Sequence, residues 1–506
     1  MRPGAGLANT GLANTGLLDW IAQAAEAHGE DVYLADARGR ATLTYGRLLE
    51  LVTDTGLRLG QAGLGPGARI AVRLAEPLEY AAALVAIVAW GRVAVPLDPG
   101  APEQDIARVL GVARPQATIR VARPSAGAEH DGARGTGGPF GVISFDFDTE
   151  GGAPVLTENT GPAAAGGGIF LSTSGTTGTP KGILLREEQL MHVAASVVEC
   201  HRLTRADRGY CSLPLFHVNA EVVGVLATLR AGAYLAVDRK FSRRGFWEVI
   251  SGRGITWINA VPAIISILGM DPPAARPPAL RFVRSASAPL PLAALRAFEG
   301  ATGVPVVETY GMTEAASMIT ANPVDGPRKP GSAGRPAGSE VRVDAVAGEI
   351  GRVKIRGAGV IRAYARGGRP GVIDADGWLD TGDLGYLDED GYLFLVGRSD
   401  DVINRGGEKI YPRDIEEILL AQPGVRSAAL IGIPDAVLGM RPAAYIVPAD
   451  DVPDLAALEA TLTAACARQL PRHKQPSEYR FMDRLPLGPT GKISRRLLKD
   501  LVTARS

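Results

Sequence analysis

The stretch Ser172-Thr-Ser-Gly-Thr-Thr-Gly-Thr-Pro-Lys-Gly182 decides how the rest of the chain is read. Glycine lets a backbone come close to an anion and turn its N–H groups inward. Six hydroxyls and one ammonium add donors suited to a polyphosphate. Apolar Ile169 to Leu171 just ahead reads as a strand, which puts the loop at a strand end. The loop differs from the G-x-x-x-x-G-K-[ST] type: Lys181 follows Pro180 and precedes Gly182, so no hydroxyl residue stands directly after it for magnesium. A flexible linker would account for the Ser, Thr and Gly but not for the Pro-Lys-Gly ending. Lys181 is also one of 8 lysines against 46 arginines. The two cations are not interchangeable at a site, so a lysine kept in such a composition marks a need for a compact ammonium.

Around this loop, apolar segments of helical period alternate with short β-rich runs. Ala68 to Leu74 and Val93 to Pro96 read as strands, with a buried helix over Leu78 to Trp90 between them. The alternation predicts a layered α/β architecture. The first residues carry a short tandem repeat, Gly6-Leu-Ala-Asn-Thr and Gly11-Leu-Ala-Asn-Thr, and residues 1–16 read as a flexible tail. The Gly-, Ala- and Pro-rich residues 124–168 read as surface connections around a short strand, Val142 to Phe147. Val353 to Arg356 and the Gly-rich stretch Gly367 to Gly371 suggest a β-rich subdomain. A last α/β unit begins near Asp401, with a helix over Arg413 to Ala421 and a strand over Ser427 to Ile433.

The chain has 506 residues, too many for one ordinary core, and this predicts two or three domains. Lys plus Arg and Asp plus Glu both number 54, a balance that argues against a bulk basic surface for nucleic acid or anionic membrane. The longest apolar run, Ala81 to Trp90, is too short for a membrane span. The three cysteines are widely spaced and form no metal or disulfide pattern, which fits a reducing cytoplasm.

With the phosphate loop as anchor, the chain resembles the adenylate-forming family of acyl-CoA synthetases, luciferases and peptide-synthetase adenylation domains. The resemblance covers nearly the whole length: Leu43-Thr-Tyr45, Val95-Pro-Leu-Asp98, Glu308-Thr-Tyr-Gly-Met-Thr-Glu314, Gly331-Ser-Ala-Gly-Arg-Pro336, Gly377-Trp-Leu-Asp-Thr-Gly-Asp383, Gly397-Arg-Ser-Asp-Asp401 and Pro489-Thr-Gly-Lys492 follow in order. It implies a large N-terminal layered α/β domain with a β-rich subdomain, residues 17–399. It also implies a small mobile C-terminal α+β domain, residues 400–506, that swings about a hinge at Asp400. The implied reaction uses ATP and Mg²⁺ to convert a carboxylic acid into an acyl-adenylate, and then CoA to take the acyl group.

The residue roles are carried over from the same resemblance. Thr173, Ser174, Gly175, Thr176, Thr177 and Lys181 would hold phosphates; Ser287, Ala288, Glu308, Thr309, Tyr310, Gly311, Met312 and Thr313 would form the rest of the nucleotide site. Tyr310 would stack on adenine and Glu314 would hold magnesium, for which a hard carboxylate oxygen is suited. Asp383 would accept from the ribose hydroxyls, with Arg398 nearby. Lys492 would reach the acid and the α-phosphate, with His217 and Thr313 as further catalytic groups. Gly406 and Gly407 would line a CoA tunnel.

Leu213-Pro-Leu-Phe-His-Val-Asn219 resembles the entry to the acyl pocket. Domains for α-amino acids carry an aspartate after the aromatic residue; here His217 stands there, and an α-ammonium would be buried unpaired at high cost. Asn219, Val223, Arg284, Tyr310 and Gly311 complete the expected pocket. The small apolar run Val222 to Leu226 suits an apolar, aryl or cyclic acid. Arg281-Phe-Val-Arg-Ser-Ala-Ser-Ala288 and Ile403-Asn-Arg-Gly-Gly-Glu-Lys409 resemble the oxalyl-CoA synthetase branch, where a small diacid would find its second cation in Arg284. A second reading of the whole protein is an adenylating enzyme that hands its acyl group to a carrier protein in trans. A third is a nucleotide-binding scaffold without activity, against which Lys181, Glu314, Asp383 and Lys492 speak.

Overall fold

The computed structural model describes residues 16–39, 41–121, 145–148, 166–173, 181–368, 370–487 and 493–503. The expected tail up to residue 15, the expected strand start at Val142, Ser174, Gly175, Thr176, Thr177 and Lys492 lie outside the described residues.

Two sheets build the N-terminal body. One is six-stranded and contains Arg69–Val72, Val93–Pro96, Gly168–Thr173 and Lys181–Arg186 as neighbours. The other is nine-stranded; at its centre Arg208–Cys211, Trp257–Ala260, Phe282–Ser285 and Val306–Tyr310 run parallel. Between the sheets lies the helix Pro77–Ala89, which touches strands of both. Its residues from Tyr80 to Val88 are all buried. A helix that is apolar all round belongs inside a core, and the run from Leu78 has no polar face to expose. Pro77 opens it at the first turn, where a missing N–H costs no hydrogen bond.

The strand readings hold, with small shifts at the ends. Val93–Pro96 is a strand as read, and the strand before the phosphate loop extends from Ile169 to Leu171 outward to Gly168–Thr173. The antiparallel β-subdomain runs Glu340–Asp344, Gly351–Arg356, Leu379–Leu387 and Leu393–Arg398. The C-terminal unit has a sheet of its own around the long hairpin Val425–Asp435 and Gly439–Pro448, packed by the helices Pro412–Leu420, Leu455–Gln469 and Arg495–Thr503. Among the described residues, its apolar clusters draw on Ile403 and later residues, whereas the main cluster of the body draws on Leu17 to Leu379. Asp400 sits between them, exposed, in the short 3₁₀ turn Ser399–Asp401.

The segment read as a source of open apolar wall behaves otherwise. Asn219–Leu226 is a π-helix whose residues are all buried, with Val222, Val223 and Val225 fully enclosed. π-Helical turns are rare and favour functional sites.

Candidate active site

In an open α/β sheet, ligands bind beyond the C-terminal ends of parallel strands. At that edge the strand Phe282–Ser285 runs into Ala286, Ser287 and Ala288, and Val306–Tyr310 runs into Gly311, Met312 and Thr313. Ser287 and Ala288 are exposed, and Ser287 holds a left-handed backbone with φ of 75°. A non-glycine residue in that region stores strain, which concentrates at working sites. The hydroxyl of Thr309 donates to the Ser285 carbonyl at 2.9 Å and ties the two strand ends together. Gly311 must be glycine because a Cβ there would stand 1.4 Å from the Ser317 carbonyl oxygen.

The motif at Gly331 supports this edge from behind. Glu308 accepts from the Gly331 N–H at 3.1 Å, and Asn322 donates to the carbonyls of Glu308 and Ser332. Burial pushes the Glu308 carboxyl up to about 7, against the lowering effect of the Gly331 N–H and of Arg413.

Tyr310 and Asp383 come together across the gap between the body and the β-subdomain. The Tyr310 hydroxyl donates to one carboxylate oxygen of Asp383 at 2.5 Å, and Arg398 donates to the other at 3.1 Å. Burial raises the Tyr310 phenol, so it stays a donor at neutral pH. Glu314 is buried at the 3₁₀ turn Thr313–Ala315 and accepts from the Tyr364 hydroxyl at 2.9 Å. Lys181, half-buried, opens the strand after the phosphate loop with its ammonium 4.9 Å from the Tyr364 ring centroid. A magnesium ion fits this setting. No cluster of three or more His, Cys, Asp or Glu occurs among the described residues, and Mg²⁺ is commonly held by one or two carboxylates with water and phosphate oxygens.

Deeper in, Arg284 is fully buried on its strand. One of its terminal nitrogens donates to both Asn219 Oδ1 at 2.9 Å and Asn259 Oδ1 at 3.0 Å. Its Nε and other terminal nitrogen have no hydrogen-bond partner among the described residues. Burial lowers its pKa to about 9, so it remains a cation at neutral pH. Asn219 in turn donates to Ser287 Oγ at 3.3 Å, linking the buried guanidinium to the exposed edge. His217, half-buried, accepts the Ala220 and Glu221 N–H groups on its carbonyl and packs its ring beside Phe216.

Gly406 and Gly407 form the exposed turn between Ile403–Arg405 and Glu408–Ile410, with φ of 58° and 91°. Their N–H groups donate to the Leu438 carbonyl and to Asn404 Oδ1, not to the nucleotide motif. On the neighbouring strand Gly439–Pro448, Arg441 donates to Ser477 Oγ at 2.8 Å and to Glu478 at 3.4 Å. Two residues of the site were missed from the sequence. Asn259 stands on the strand Trp257–Ala260 in no motif, and Tyr364 stands alone in a loop; only register beside Arg284 marks the first.

The chain matches the model for the AMP-binding enzyme over residues 21–365 and that for the AMP-binding enzyme C-terminal domain over residues 414–492. It belongs to the AMP-binding enzyme family. A sulfoacetate–CoA ligase of Cupriavidus necator is 36% identical over 499 residues, covering 94% of this chain and 96% of the relative. An oxalate–CoA ligase of Arabidopsis thaliana is 32% identical over 501 residues, covering 91% and 93%. The structure of ATP-bound MatB from Rhodopseudomonas palustris superimposes with a TM-score of 0.81 at 26% identity, covering 96% of this chain and 99% of that one. Among the described residues, no helix is long and apolar enough to cross a membrane.

Proposed function

We propose that this protein is an ATP- and Mg²⁺-dependent acyl-CoA ligase whose substrate is a small carboxylic acid bearing a second anionic group. A carboxylate oxygen attacks the α-phosphorus of ATP and pyrophosphate leaves; the CoA sulfur then attacks the acyl carbonyl and AMP leaves. Attack by a weak anionic nucleophile on a polyanion demands that both be neutralised and aligned. Lys181 and the hydroxyl-rich loop supply donors to the phosphates. Asp383, set by Tyr310 and Arg398, accepts from the ribose. Glu314 would hold Mg²⁺, which offsets the charge of the phosphates. Lys492 would join the acid and the α-phosphate, with the C-terminal unit, residues 400–506, turning about Asp400 between the two steps.

The single observation that carries the substrate reading is Arg284. A buried cation that, among the described residues, is held by neutral amide oxygens alone and leaves two nitrogens unpaired is costly without a counter-charge. A second carboxylate or sulfonate on the substrate supplies that counter-charge, with Asn219 and Ser287 at the approach. The relatives agree in kind: sulfoacetate and oxalate each carry two anionic groups. The expectation of an apolar, aryl or cyclic acid drew on Val222 to Leu226, whose side chains are enclosed in the core, so the preference passes to the small diacid. We place the enzyme in the cytoplasm, where ATP and CoA are at hand; its three free cysteines suit a reducing compartment.

The test is pyrophosphate release with and without CoA over oxalate, sulfoacetate, longer diacids and matched monoacids, for the wild type and Arg284→Met. The diacids should be preferred, and the substitution should cost them roughly 100-fold while leaving monoacids within a few-fold. Strong use of an apolar monoacid, unaffected by Arg284→Met, overturns the substrate reading. Pyrophosphate release without thioester at saturating CoA replaces CoA with a carrier protein as the acceptor.

A further inference from the structure

Lys181 and Glu314 carry opposite charges and, on the proposed function, serve the same phosphate and metal end of the site, and among the described residues each makes its contact with a third side chain. Tyr364 touches both. Its hydroxyl donates to Glu314 Oε1 at 2.9 Å, and its ring lies under the Lys181 ammonium at 4.9 Å. The loop that carries Tyr364 is stitched to both partners through the backbone. Ile361 N–H donates to the Glu314 carbonyl at 2.9 Å. At the other end, Ala365 N–H donates to the Gly182 carbonyl at 2.9 Å, and Gly182 N–H donates to the Arg366 carbonyl at 2.9 Å. Gly182 permits this approach, since a Cβ there would stand 2.6 Å from the Phe170 ring and 3.2 Å from the Arg366 side chain.

We propose that Tyr364 is a positioning residue that holds the Lys181 ammonium and the Glu314 carboxylate apart and aims each at its own target. An ammonium and a carboxylate free to meet would neutralise one another and offer little to a polyphosphate or a cation. The aromatic face holds the ammonium by its quadrupole without cancelling its charge. The phenol donates to one carboxylate oxygen and leaves the other for the metal, as hydrogen bonds behind a ligand commonly do. The inference rests on the reading of Lys181 as a phosphate group and Glu314 as a metal ligand.

The experiment uses the full chain with a non-hydrolysable ATP analogue. Mn²⁺ binding to the protein–nucleotide complex is followed by electron paramagnetic resonance, and metal-free nucleotide affinity by calorimetry. Tyr364→Phe keeps the ring and loses the hydroxyl; it should weaken Mn²⁺ roughly 10-fold and leave metal-free nucleotide affinity unchanged. Tyr364→Leu loses both contacts and should in addition weaken metal-free nucleotide binding roughly two- to five-fold. Glu314→Gln alone and combined with Tyr364→Phe closes the cycle, and the double variant should bind Mn²⁺ no more weakly than Glu314→Gln. A purely structural tyrosine would lower the melting temperature and leave this pattern absent. If Glu314→Gln weakens Mn²⁺ while Tyr364→Phe does not, the positioning role is wrong and the metal assignment stands. If Glu314→Gln has no effect, the metal assignment fails and the positioning role falls with it.

Discussion

Asp383 is held by the Tyr310 hydroxyl on one oxygen, so the carboxylate is fixed in place by a residue of the adjacent nucleotide motif. Arg398 grips the other oxygen and the Thr381 carbonyl. The residues that would contact base and ribose are therefore one hydrogen-bonded unit. Asp383→Ala should weaken ATP binding by on the order of 10- to 100-fold, since hydrogen bonds to a charged group are worth about 1.5–3 kcal/mol each. Tyr310→Phe, which removes one donor and keeps the ring, should cost less. Nucleotide titration by calorimetry decides; equal ATP affinity in wild type and Asp383→Ala would remove Asp383 from the site.

Lys492→Ala should abolish adenylate formation with ATP binding largely kept. Loss of an oriented charge at such a centre typically lowers rate by about 100- to 1,000-fold. Acid-dependent pyrophosphate exchange measures the first effect and equilibrium binding the second. A variant that formed adenylate at the wild-type rate would exclude the role given to this lysine.

Asp400 lies exposed in the turn Ser399–Asp401, and the next residue, Asp401, is anchored by Arg495 at 3.2 Å. Arg495 also donates to both carboxylate oxygens of Glu416 at 2.7 Å, so the proposed rotation would be concentrated just before Asp401. Asp400→Pro fixes φ at that point. Adenylation should remain measurable while thioester formation falls sharply, as read by parallel pyrophosphate and CoA-thioester assays. Loss of both in proportion would place the hinge elsewhere.

Glu308 gives a stability prediction with a definite sign. Its carboxyl stands at about 7 in the folded protein against an ordinary 4.5. The folded state keeps a proton that the unfolded chain has released between those values. The associated stability is whole below about 4.5 and is lost as pH rises through about 7. Glu308→Gln keeps an acceptor for Gly331 and never ionises. Its melting temperature relative to wild type should rise between pH of about 5 and about 8, with one pKa unit worth about 1.4 kcal/mol. A difference that does not change with pH would mean that Glu308 is not perturbed.

Much of the candidate site could be proposed from the sequence because phosphate and nucleotide chemistry concentrates in short contiguous runs, although residues 174–180 and Lys492 lie outside the described residues. The loop at Ser172, the run Glu308 to Glu314 and the pair Asp383 and Arg398 each announce themselves by residue type and local spacing. Arg284 was named from the sequence as the second cation for a small diacid, but nothing in Arg281 to Ala288 says that its side chain is enclosed and held by two amide oxygens. Asn259 and Tyr364 were illegible for a related reason: each reaches the site through tertiary placement, one by register beside Arg284 and one across a loop. The π-helix at Asn219 was missed because Ala220 to Leu226 has the composition of any buried helical turn.

The C-terminal unit has its own sheet and its own apolar clusters, and it meets the body through groups such as Arg413, which donates to the Leu395 carbonyl at 2.7 Å. On the proposed function, acid selection rests on strands and a helix of the body, far in sequence from the turn that carries Gly406 and Gly407. On that reading the two halves of the chemistry are separable by inheritance as well as by the proposed motion. A lineage can exchange Arg284, Asn219 or Asn259 and take up a new acid without redrawing the surface that receives the thiol. Chimeras joined at Asp400 should accordingly follow the acid preference of whichever parent supplies the body.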